Sequence, residues 1–136
     1  MSTRYAVQTL ALILGFTIFA GTTTANQPLG QVSRITEGLI NTAIAYEVSR
    51  VCPGIEPRMV EGLIYLNSLK AHAQSLGYSP EEIDAFTRDR SEKARLEAIA
   101  RARLADMGAV VGQADTYCDV GRQEMANHSQ IGRLLR

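Results

Sequence analysis

Residues 76–86 read Leu-Gly-Tyr-Ser-Pro-Glu-Glu-Ile-Asp-Ala-Phe, and they mark the end of one helix and the start of the next. Gly77 is the residue type that most easily takes the left-handed conformation closing a helix. Ser79 stands as an N-cap, with Pro80 at the first helical position, where a missing N–H is no loss. Glu82, three residues after Ser79, completes a capping box by reaching back to the backbone N–H of the cap. Tyr78 and Ile83 occupy the positions of a hydrophobic staple. Two helices joined by so short a turn are expected to fold back as a hairpin.

Upstream of this turn, a helix is expected to start at Pro57. Met59, Leu63, Leu66, Ala73 and Leu76 form its buried stripe, with Val60 and Leu69 alongside. Farther upstream, Val32, Ile35, Leu39, Ala43 and Tyr46 recur at helical spacing, and Ile40, Ile44 and Val51 widen the stripe. Cys52-Pro53-Gly54 must end that helix, because proline disfavours helical backbone before it and lacks the N–H to continue the ladder.

Downstream, a third helical stretch runs from Pro80 to Met107 and is closed by Gly108. Asp84/Arg88, Asp89/Lys93 and Glu97/Arg101 are spaced as ion pairs along it. Its apolar residues do not share one face. Ile83 and Phe86 lie roughly 80° around the helix from Leu96, Ile99, Ala100 and Met107. Either the stretch bends or breaks near Asp89 to Ser91, or its two halves pack against different partners. Gly108 to Ala114 reads as a flexible connector, and Asp115 as the N-cap of a short helix ending near Asn127. No strand-like alternation occurs, so the expected fold is all-α. It is a small bundle of about four helices in the mature chain, preceded by a signal-peptide helix.

That leading segment sets the expected address. Arg4 precedes a mostly apolar run from Tyr5 to Gly21, and Thr23-Thr24-Ala25 supplies small residues before a cut between Ala25 and Asn26. The run is shorter than the ~20 residues of a membrane span and is interrupted by Gln8, Thr9, Gly15 and Thr17. Residues 1–25 are therefore expected to be a removed signal peptide, leaving no stable membrane anchor and a periplasmic or secreted product. Residues 26–31 follow as a flexible N-terminal arm, and 32–136 as a single helical domain.

The 136-residue chain carries 14 basic and 14 acidic residues, so its formal charge is zero. Such a balance gives no electrostatic reason to expect nucleic acid as a partner. Cys52 and Cys118 are the only cysteines, and in an oxidising compartment they are expected to form one disulfide across a loop of about 67 residues. The competing reading makes Cys118 a nucleophile with His128 as its base, but no glycine-rich turn or third orienting residue accompanies them. His72 and His128 lie on different segments, without metal-ligand spacing, so no metal site and no cofactor are expected. The basic residues Arg88, Arg90, Lys93, Arg95, Arg101 and Arg103 are interleaved with Asp89, Glu92 and Glu97, the pattern of a solvated, ion-paired face. No catalytic residue is assigned. Ile131, Leu134 and Leu135 form an apolar edge near the end of the chain. It is either an interaction element or a segment docked on the domain's own core.

The segments Leu66-Asn67-Ser68-Leu69-Lys70, Leu76-Gly77-Tyr78-Ser79, Glu92-Lys93-Ala94-Arg95 and Ser129-Gln130-Ile131-Gly132-Arg133-Leu134-Leu135-Arg136, together with Cys52 and Cys118, resemble a family of small exported alphaproteobacterial proteins. That family is described only as a domain of unknown function. The resemblance spans about residues 32–136 and implies that the cysteines and the closing segment are family features. It brings no activity or ligand. The expected function is a non-enzymatic exported module acting through contact with a protein partner in the cell envelope. The alternative is a small periplasmic hydrolase or ligand carrier with a site between helices.

Overall fold

The computed structural model describes residues 27–136. Signal cleavage between Ala25 and Asn26 lies outside the described residues. Six α-helices follow a one-turn 3₁₀ segment at Leu29–Gln31: α1 (Ser33–Val51), α2 (Met59–Ser75), α3 (Pro80–Arg88), α4 (Arg90–Asp106), α5 (Ala114–Ala126) and α6 (Gln130–Arg133). No β-strand is present among the described residues, only isolated bridges at Pro57/Leu135 and Val110/Gln113. Within 26–31, read from sequence as an arm, Leu29 is buried and the Tyr78 hydroxyl donates to the carbonyl of Gln27.

Helix α1 is the centre of the bundle, packed by α4, α5, α2 and α6 around its circumference. Its apolar residues therefore surround it more widely than one stripe would. Ile35, Ile40, Ile44 and Val48 are buried, whereas Tyr46, counted with the inner face from sequence, is exposed. The main core joins Ile40, Ile44 and Val48 of α1 to Leu96, Ala100 and Leu104 of α4, Tyr117 and Val120 of α5, and Ile131, Leu134 and Leu135. A smaller core at the other end gathers Leu29, Val32, Ile35, Leu69, Ala73, Tyr78 and Ile83. Leu39, Tyr65 and Phe86 pack against both.

Cys52 leaves the C-terminal end of α1 and is bonded to Cys118 in the second turn of α5, with Cα atoms 5.1 Å apart. The disulfide thus ties α1 to an element 66 residues later, and both cysteines are buried in the main core. Cys118 carries no free thiol, so the nucleophile reading has no reactive atom.

The third helical stretch is broken at Asp89, whose extended backbone separates α3 from α4. Asp89 caps α4, its carboxylate accepting from the N–H groups of Ser91 at 2.8 Å and Glu92 at 3.1 Å. It therefore serves as a cap in place of the expected pair with Lys93. Arg88 does pair with Asp84 at 2.5 Å, while Glu97 is met by Lys93 at 3.9 Å. The break lets α3 close the smaller core with Ile83 while α4 lies along α1. Arg103 of α4 reaches Glu37 of α1 through two bonds of 2.5 and 2.7 Å, and the guanidinium holds the Glu37 carboxyl below its ordinary pKa.

Three helices end in the same way. After α2, the N–H of Gly77 donates to Gln74 and that of Tyr78 to Ala73. After α4, Gly108 and Ala109 donate to Ala105 and Leu104. These are Schellman closures with glycine at positive φ, 92° and 103°. After α5, His128 and Ser129 repeat the pattern onto Met125 and Glu124, but the positive φ of 52° falls on a histidine. The expected capping box is complete, with Glu82 N–H donating to Ser79 Oγ at 3.2 Å and Ser79 N–H to Glu82 Oε2 at 2.7 Å.

Helix α6 is placed by its own backbone. Ser129 Oγ accepts from the N–H of Gly132 at 3.0 Å and donates to the Glu124 carboxylate. Arg58 N–H then donates to Leu134 O, and Glu56 and Arg136 exchange backbone bonds of 2.8 and 2.9 Å. This short ladder draws the segment between α1 and α2 against the end of the chain and sets where α2 begins.

Candidate functional site

The largest departure from the sequence reading is on α2. It packs on α1 through a narrow stripe of Tyr65, Leu69 and Ala73, of which Leu69 and Ala73 are buried and Tyr65 is half-buried. The contact is close because α1 carries Gly38 there: a Cβ on Gly38 would lie 2.6 Å from Leu69 Cδ1 and 3.0 Å from the Tyr65 hydroxyl. Burial pushes the Tyr65 phenol above its ordinary pKa. Of the residues expected to be inside, Leu69 and Ala73 are buried and the rest are not. Met59 is 74% exposed, Val60 67%, Leu63 61%, Leu66 38% and Leu76 43%, and Ile64 joins them at 64%.

The periodicity on which that expectation rested is real, but it belongs to two faces. At about 100° per residue, Tyr65, Leu69 and Ala73 fall within ~80° of one another, while Leu66, Met59, Leu63, Val60 and Ile64 sweep a further ~160°. Helix α1 fills only the first sector. The second faces solvent over the N-terminal two turns of α2, and farther along the helix the same side turns polar at Asn67, Lys70 and Gln74. The five exposed side chains present on the order of 500 Å² of apolar surface, at the upper end of what monomeric proteins expose as one patch. A polar rim borders it where Arg58 pairs with Glu61 at 2.5 Å. Beside Ile64 a cleft of about 330 Å³ opens between α2 and α6, edged by Arg58, Ser68, Gln130 and Arg133.

The grooves are less suggestive of chemistry. One of about 480 Å³ runs between α1, α3 and α4, lined by Leu39, Ala43, Tyr46, Phe86 and Leu96, with Lys93 and Glu97 at its edge. Lys93 is exposed, and the half-buried Glu92 and Glu97 are taken up in ion pairs with Arg95 and Lys93. A second, of about 680 Å³, lies where Gln27 to Gln31 cross α3 and α4, with Arg95 donating to the Gly30 carbonyl at 3.0 Å. Among the described residues no three or more His, Cys, Asp or Glu side chains gather as a metal site. His72 lies on α2, and His128 between α5 and α6. Besides Glu37, a lowered carboxyl occurs at Glu47, held down by the Arg50 guanidinium one turn away on α1. Both are surface ion pairs.

Ile131, Leu134 and Leu135, carried from the sequence as a candidate interaction edge, are 7%, 5% and 3% exposed. They are therefore no surface element of this fold. The Ser129 cap and the ladder to Glu56 and Arg58 turn their side chains inward onto α1 and α5. The surface that sequence reasoning missed is the back of α2, and one signal pointed to it. Helix α2 has apolar residues on more of its circumference than a single packed face requires.

A family model described as a family of unknown function (DUF5333) matches residues 27–136. No curated protein and no solved structure matches the chain.

Proposed function

We propose, for a chain that belongs to the family of unknown function DUF5333, a non-enzymatic role in protein–protein contact through the exposed face of α2. The observation that carries this is the apolar arc of Met59, Val60, Leu63, Ile64 and Leu66, bordered by polar groups. An apolar core with a polar rim is the make-up of a protein interface. The site of action proposed is the cell envelope or beyond, after removal of residues 1–25. Two features support it: the apolar run Tyr5–Gly21 ahead of Ala25, and a disulfide of the kind that persists in oxidising compartments.

A photo-crosslinking amino acid placed at Leu63 tests the reading in intact cells. A protein adduct is expected from that position, and none when the same amino acid replaces exposed Lys70 at the polar end. Absence of any protein adduct at Leu63 would overturn the proposal. A second reading, a carrier of a small apolar ligand, rests on the groove between α1, α3 and α4, whose size suits such a molecule. It requires an organic molecule to co-purify with the native protein and to be displaced in Leu96→Trp.

A further inference from the structure

Resting on that reading of the α2 face, we infer that its occupant is a second copy of this chain, packed α2 against α2 about a two-fold axis at Leu63. The exposed residues form adjacent i, i+4 rows, Met59–Leu63 and Val60–Ile64. Rows of this kind on two helices interdigitate at about −50°, the commonest helix-packing class. An isologous pair needs the same row and groove on both partners, and this helix carries both. Leu63 sits near the middle of the arc and of its length, so a two-fold there sets each Met59–Leu63 row into the groove of the other copy.

Electrostatics favour the same occupant. The arc bears no charge on its apolar part, so bringing two copies together buries no like-charged pair. Of the cations beside it, Arg58 is already paired with Glu61 at 2.5 Å, and Lys70 lies about 10 Å along the axis from Leu63 at 1.5 Å per residue, so the two-fold sends the two lysines to opposite ends. Removal of residues 1–25 takes away Arg4 and leaves 13 basic against 14 acidic residues, a balance that adds little net repulsion between copies. A strongly charged partner, by contrast, would find nothing on the arc to recognise it. Two faces of on the order of 500 Å² give about 1,000 Å² in total, the lower bound of specific interfaces. The dimer therefore belongs to the weak, transient end of specific interfaces.

Sedimentation of the native, disulfide-intact protein between about 1 µM and 1 mM tests this. The wild type is expected to pass from monomer to dimer across that range. Leu63→Glu and Leu63→Lys, substitutions at an exposed position whose folding is checked by circular dichroism, should each stay monomeric. Mixing the two variants should restore association, since the two-fold sets the introduced carboxylate of one copy against the introduced ammonium of the other. A wild type monomeric throughout overturns the dimer, while a Leu63 adduct to a different protein in cells would keep the α2 contact role. Dimers that persist in both single variants, or a mixture that remains monomeric, overturn the placement of the axis at Leu63.

Discussion

Gly132→Ala is expected to destabilise this protein although it adds one methyl group to a residue of ordinary helical backbone. Built on Gly132, a Cβ would lie 2.1 Å from the carbonyl oxygen of Glu124 and 2.6 Å from the backbone nitrogen of Met125. Both atoms belong to the α5 backbone, so no rotamer change relieves the overlap, and α6 must move by about 1 Å. That movement disturbs Ile131, Leu134 and Leu135 together, along with the cap from Ser129. Overpacking of this kind costs about 1–3 kcal/mol, and a clash against backbone belongs at the upper end. The helix-propensity gain of alanine over glycine, at most about 1 kcal/mol, opposes it. A net loss of about 2 kcal/mol is expected, lowering the melting temperature by roughly 8–10 °C for a domain of this size. Gly62→Ala on α2 is the control, because a Cβ there meets nothing within 4 Å; it should gain about 0.5–1 kcal/mol from propensity alone. Urea unfolding at constant m-value reads both. A Gly132→Ala midpoint equal to or above wild type would refute the placement of α6 on the end of α5.

Replacing Cys52 and Cys118 together by Ala frees a long loop in the unfolded state and should cost about 4 kcal/mol, seen as a melting temperature lower by more than ~10 °C; an unchanged midpoint would deny the bond a stabilising role. His128→Gly removes a side chain from left-handed backbone and should raise stability by about 0.5–1 kcal/mol, and a loss in thermal unfolding would show that a contact of the histidine outweighs its backbone strain. The Glu37–Arg103 pair contributes above the ordinary carboxyl pKa of 4.5, because the folded-state value is lowered, and that contribution disappears as pH falls through the lower folded value. Glu37 is half exposed, so Glu37→Gln should cost under ~1 kcal/mol at pH 7 and nothing near pH 2; a gap of equal size at both pH values would contradict the pairing.

What could be read from the sequence was mostly punctuation. Ser79, Pro80 and Glu82 announce their helix because capping is settled among neighbours within one turn. Pro53 stops α1 for an equally local reason, whereas Asp89, read from its spacing as a partner of Lys93, caps α4 at a break that the sequence left open. The pairing of Cys52 with Cys118 followed from there being no other cysteine to choose. The surface was harder to read. Periodicity tells which residues of α2 share a side, and the sequence offers two apolar sides. Only Gly38, on a different helix, decides that Tyr65 and Leu69 approach α1 while Leu63 does not. The burial of Ile131, Leu134 and Leu135 likewise depends on backbone bonds to Glu56 and Arg58, on the far side of four intervening helices in the chain. Long-range pairings of this kind leave no mark in local spacing.

The main core is assembled from the two ends of the described chain, with α1 at one and Ile131 to Leu135 at the other. During synthesis, α1 emerges long before most of the side chains that cover Ile44 and Val48. At ribosomal rates of about 5–20 residues per second, the interval between Val48 and Ile131 lasts roughly 4–17 s. Over that interval α2, α4 and α5 arrive in turn to cover α1, but the core around it stays incomplete, open to chaperones, until Ile131, Leu134 and Leu135 join it. Closure of the main core is thus deferred until Ile131 to Leu135 have been made.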